Sequence, residues 1–94
     1  MSRAVAGVEG VRGALERGDV EAARVQFLAV EPVLHEMAED METVNADDAE
    51  VLHDVIDVVK LKLDSSRRHD LPGLIETTTR MFAWFESASL VLAR

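Results

Sequence analysis

The stretch VEAARVQFLAVEPVLHEMAEDMETV, residues 20–44, decides the fold. Val20, Ala23, Phe27, Val30, Leu34, Met37, Met41 and Val44 follow one another at alternating steps of three and four. That is an unbroken heptad seam, the signature of a helix with one dry stripe. Pro32 lies inside the stretch and removes one backbone donor. The seam holds its phase from Val30 to Leu34, so the spacing predicts one continuous, kinked helix rather than two.

The same pattern recurs on either side. Residues 71–93 carry Leu71, Leu74, Thr78, Met81, Phe85, Ala88 and Leu92 at helical spacing. Residues 47–67 carry Leu52, Ile56, Val59 and Leu63, flanked by Val51 and Val55. Residues 3–17 offer Ala4, Val8, Val11 and Leu15, interrupted by Gly7, Gly10 and Gly13. Each such glycine costs about 1 kcal/mol against alanine in a helix interior, so this first helix is expected to be the weakest and to depend on docking. No stretch alternates with period two, and hairpin dipeptides are absent.

Punctuation divides these four segments. Gly18 suits the left-handed position past a helix end, and Asp19 suits the cap of the next helix. The tripeptide Arg17-Gly18-Asp19 also spells an adhesion ligand, but a helix turn accounts for all three residues. Asn45 and Asp47 offer a second cap, with Asp48 and Glu50 in the first turn, where the helix dipole favours acids. In SSRRHD, residues 65–70, Arg67 and Arg68 suit a helix end, and Asp70 before Leu71-Pro72 suits a start. Short links favour antiparallel neighbours. The reading is all-α: an up-down antiparallel bundle of four helices, three long and one weaker, forming a single domain over residues 1–94.

That topology turns charge into geometry. The net charge is −8, yet residues 19–57 carry one arginine, Arg24, against twelve acids. The link between the second and third helices gathers Glu39, Asp40, Glu42, Asp47, Asp48 and Glu50 at one pole. Arg17, Arg24, Arg67 and Arg68 are expected at the other. Such an acidic segment repels a phosphate backbone, so no nucleic acid is expected as partner.

Other bulk features narrow the function. There is no cysteine, which excludes disulfides, thiol catalysis and zinc-thiolate sites. The longest apolar run, Met81 to Phe85, is far below the ~20 residues needed to span a bilayer. Glu9 and Arg12 interrupt any apolar leader region near the N-terminus. The chain therefore reads as soluble and cytoplasmic, with no membrane partner.

The chemical motifs are sparse. Glu50-Val51-Leu52-His53 spells Glu-x-x-His, the spacing of di-iron helical bundles. On its helix Glu50 falls nearly opposite the apolar stripe and His53 lies well round toward the polar side, so the motif is expected to face water. Across the hairpin, His35, Glu36 and Glu39 fall near His53, because positions 36 and 53 are equidistant from the turn. A zinc ion there would be exposed and short of the usual ligand set. No frame through residues 39–53 has the acids and glycine of a calcium loop.

Histidine phosphotransfer domains are acidic four-helix bundles of about this size. Here Asp54 and Asp57 follow His53 and would repel an incoming phosphoryl group, His35 is followed by Glu36, and His69 sits in a link. No nucleophile elbow or phosphate loop is present. No catalytic residue, cofactor or metal is assigned, and the chain is not expected to be an enzyme.

What remains is surface. Trp84, the sole tryptophan, lies off the seam of its helix on a strip with Thr77, Ala88 and Val91. That strip either packs on a neighbouring helix or binds a partner, where tryptophan is a frequent hot spot. Leu90 to Ala93 is apolar all round, and Val58 and Leu61 sit away from the seam of the third helix. Excess apolar surface points to a non-catalytic protein-interaction module such as an adaptor, export-type chaperone or inhibitor, and to a homodimer. Its candidate partner-binding residues are Trp84, Val91, Leu90, Ala88, Leu61 and Val58, with the acidic pole beside them. The alternatives are a bundle that binds a metal or phosphoryl group through His53 or His35, and a structural subunit of a larger assembly.

Overall fold

A computed structural model describes residues 2–64 and 70–93. Four helices occupy them: α1 (Arg3–Glu16), α2 (Val20–Glu42), α3 (Ala46–Asp64) and α4 (Leu71–Leu92). Among the described residues there is no strand. α1 and α3 each pack against both α2 and α4, while α2 and α4 also meet across the short diagonal of the bundle. The long dimension, 39 Å, fits one helix of 22 residues, about 33 Å, plus its turns.

Each described helix start is fixed by one side chain. Ser2 accepts from the Val5 amide at 3.2 Å, and Asp19 from the Ala22 amide at 3.0 Å. Asn45 accepts from the Asp48 amide at 3.1 Å, and Asp70 from the Gly73 amide at 3.3 Å. These acceptors satisfy amides that have no partner inside their own helix. The α1–α2 turn is a Schellman motif. Gly18, at φ 75°, donates to the Leu15 carbonyl, and Asp19 donates to the Ala14 carbonyl, both at 2.9 Å. Asp19 thus closes one helix with its backbone and opens the next with its side chain. Arg67, Arg68 and His69 lie outside the described residues.

α2 runs unbroken through Pro32. Proline denies the Leu28 carbonyl its helical donor, but Leu28 lies on the exposed side, where solvent can supply one. The heptad reading needs correction toward the end of this helix. Ala38 is fully buried, Met37 only half-buried, and Val44 is 55% exposed. A straight helix drifts about 20° per heptad against a strict 3.5-residue repeat, so the buried stripe slides from Met37 to Ala38. Val44 falls beyond the helix, which stops at Glu42 with Thr43 as its last cap.

The core is one continuous cluster. Leu15, Phe27, Leu34, Leu52, Ile56, Leu63, Met81 and Phe85 are its largest buried members, and all four helices contribute. Thr78 is the sole buried polar residue among those described; its hydroxyl donates to the Leu74 carbonyl at 2.7 Å, so its burial leaves no donor orphaned. α1 docks through Ala4, Val5, Val8, Val11, Ala14 and Leu15, two more than the spacing alone picked out. Gly7 has a packing reason: a Cβ there would lie 2.1 Å from Val30 Cγ2. It lets α1 approach α2 more closely than any side chain would permit.

No helix among the described residues is long and apolar enough to cross a membrane.

Candidate interaction surface

Two cross-helix ion pairs set the register of α2 against α3. Arg24 donates to the Leu63 carbonyl at 2.8 Å and reaches Asp64 at 3.8 Å, while Lys60 meets Glu31 at 3.3 Å. Leu28 lies one turn from both Arg24 and Glu31, on the α3-facing edge of α2. Leu61 lies between Lys60 and Asp64 at the same level. Both leucines nevertheless point outward, 56% and 67% exposed. Val25 and Val58, one turn away from each, are 60% and 42% exposed. An outward apolar band therefore crosses the α2–α3 seam.

Trp84 borders that band on the other side. Lys62 of α3 donates to the Thr77 hydroxyl of α4 at 3.2 Å, which places the Thr77 edge of α4 against α3. Trp84 follows Thr77 by two turns on this edge and is 38% exposed. By the register of that contact, Val58 lies within about one turn of its level. The outer side of α3 thus presents Val58 and Leu61 among the exposed Asp54 and Asp57, with Leu28 and, farther round α2, Val25 on one flank and Trp84 on the other.

The strip expected along α4 does not hold together. Ala88 is 3% exposed and belongs to the core, because it continues the Leu74, Thr78, Met81, Phe85 stripe. Val91 is half-buried and packs against that core. Leu90 is 65% exposed, but it projects from the far side of α4, beside Ser2, Val5 and Glu86. Val25 and Leu28 were not singled out from sequence. Their signal was the one that marked Val58 and Leu61, large aliphatics off the seam of their own helix.

The acidic pole forms as expected around the α2–α3 link. Glu39, Asp40, Glu42, Asp47 and Glu50 are exposed, and Asp48 is half-buried beside its cap. Arg3 joins this end of the bundle, in a shallow cleft with Glu36, Asp40 and Leu92. At the opposite end, Arg24 is engaged with Glu21 and Asp64.

His53 lies near His35 as expected but is less exposed than expected. Glu50 faces water, but the His53 side chain is only one-third exposed and turns toward α2. Its Nε2 lies 3.5 Å from Glu42 Oε1, and its ring centroid lies 5.8 Å from that of His35, which is half-buried. Among the described residues, no three histidine, aspartate or glutamate side chains are gathered to hold a metal ion.

A second polar group lies between α1 and α4. Arg12 holds Glu9 at 3.0 Å and Glu16 at 3.7 Å, with its guanidinium 5.1 Å from the centre of the Phe82 ring. All three charges lie on α1, so the arrangement pins a local face rather than opening a site. Comparison with protein-family models, curated proteins and solved structures returned no match.

Proposed function

We propose that this chain is a non-catalytic protein-interaction module, and that the outer face of α3 docks a second copy of it. The carrying observation is the exposure of Val25, Leu28, Val58, Leu61 and Trp84 on the neighbouring helices α2, α3 and α4. At their fractional exposures these five residues present about 500 Å² in total, comparable to the largest apolar patch of a typical monomer, which is often functional. A standard interface covers ~800 Å² per partner and is about 60% apolar, so this face supplies the apolar share of one such interface. Trp84 at its margin and the flanking ion pairs would give the anchor and polar rim that such interfaces carry. Self-pairing about a two-fold axis brings the same face of each copy together.

The test is sedimentation of Leu61→Asp and Val58→Asp beside Leu90→Asp, whose site lies off the face. Dissociation in the first two, with the third unchanged, supports the reading. A chain that is monomeric throughout, yet captures a host protein in a Leu61-dependent way, keeps the module but refutes self-pairing. Association that collapses with added salt and ignores Leu61 favours a structural subunit joined through charged poles instead.

A further inference from the structure

We propose that His35 and His53 form a two-point chelate for a borderline divalent cation of the zinc, nickel and copper group. The site spans the α2–α3 seam just inside the acidic pole and is separate from the apolar face of α3.

The geometry rests on the ring separation. Metal–nitrogen bonds of about 2.1 Å place the centroids of two imidazoles on one cation about 4.5–5.5 Å apart at ordinary ligand angles. His35 and His53 stand at 5.8 Å with their planes 36° apart. Closing the difference takes about 0.5 Å, within reach of small side-chain rotations. The two rings come from different helices, so helix packing rather than chance rotation holds them together. Each is partly buried, which limits the freedom either must lose on binding.

The chemistry of the neighbourhood fits the same class. Neutral imidazole suits zinc, nickel and copper, whereas carboxylate-only surfaces suit magnesium and calcium. Glu42 already sits against His53 Nε2 at a separation of 3.5 Å, close to the ligand–ligand edge of a tetrahedral site. Its side chain is 59% exposed, which leaves it room to turn toward an ion beside the pair. Three donors are not already gathered among the described residues, so the two imidazoles carry the site. The result is a weak, exchangeable site rather than a permanent structural one. Glu31, one turn from His35, is already paired with Lys60 and is not assigned as a ligand.

The experiment is calorimetric titration of tag-free full-length chain with zinc alone, in millimolar magnesium to occupy non-specific carboxylates. One zinc per chain is expected. His35→Ala and His53→Ala should each weaken binding by at least about tenfold, and Glu42→Gln by less. His69→Ala should leave it unchanged. No binding by the native chain, binding indifferent to both substitutions, or binding abolished by His69→Ala would each overturn the proposal. A second measurement needs no variant: substoichiometric copper should broaden the imidazole signals of His35 and His53 together. Broadening confined to His69, or absent, overturns the site independently of whether the variants fold.

Discussion

Gly7 and Gly13 occupy the same helix but should answer an added methyl group with opposite signs. In a helix interior, glycine to alanine gains about 1 kcal/mol from propensity. At Gly13 the new Cβ meets only Arg17 Nη1, at 3.5 Å, an ordinary contact with a mobile side-chain end. Gly13→Ala should therefore stabilise by about 0.5–1 kcal/mol. At Gly7 the Cβ would lie 2.1 Å from Val30 Cγ2 and 2.7 Å from Val30 Cβ. Val30 is 6% exposed, and its Cβ cannot be rotated away. Relief requires α1 and α2 to separate, and overpacking of this kind costs about 1–3 kcal/mol. Set against the propensity gain, Gly7→Ala should lose about 1 kcal/mol net.

The two variants should then differ by about 2 kcal/mol, or roughly 8–16 °C in melting temperature for a domain this small. Urea and thermal unfolding followed by circular dichroism measure this directly. A double-mutant cycle isolates the cause. In a Val30→Ala background, which removes Cγ2 but keeps the Cβ at 2.7 Å, Gly7→Ala should become less destabilising, with a coupling of about 1 kcal/mol. If Gly7→Ala stabilised the native background as Gly13→Ala does, or if Val30→Ala gave no rescue, close approach of α1 to α2 would not be the reason for glycine at position 7.

Other substitutions probe the remaining joints of the bundle. Leu52→Ala removes a fully buried side chain and should cost about 2–5 kcal/mol in urea unfolding, with no change in oligomer specificity. Arg24→Ala removes the donor to the Leu63 carbonyl and should cost about 1 kcal/mol, discounted because the side chain is one-third exposed. Glu21→Ala, which breaks only the exposed pair to Arg24, should change stability by less than about 0.5 kcal/mol in the same assay.

The fold was legible because its cause is local. Steps of three and four between apolar residues, with Gly18-Asp19, Asn45 and Asp70 at the breaks, fix four helices and the caps of the last three without reference to distant contacts. The near approach of His53 to His35 was legible too, since a tight link makes residues equidistant from it neighbours. What the pattern could not supply were contacts set by how two helices lean together. Gly7 reads as a weak helix former until Val30 is seen against it. Ala88 reads both as a seam residue and as part of the Trp84 strip, and its burial places it in the seam. His53 reads as water-facing on a wheel centred on Val55, but α2 lies against its edge of the helix. Val25 and Leu28 were visible as off-seam aliphatics; only the register set by Arg24 and Lys60 places them beside Leu61.

The mass of the native chain in solution tests the central claim most directly. Light scattering across micromolar concentrations, at low and high salt, should give twice the 10.4 kDa chain mass, persisting in salt as an apolar interface requires. A mass of 10.4 kDa at every concentration would contradict self-pairing through the α3 face.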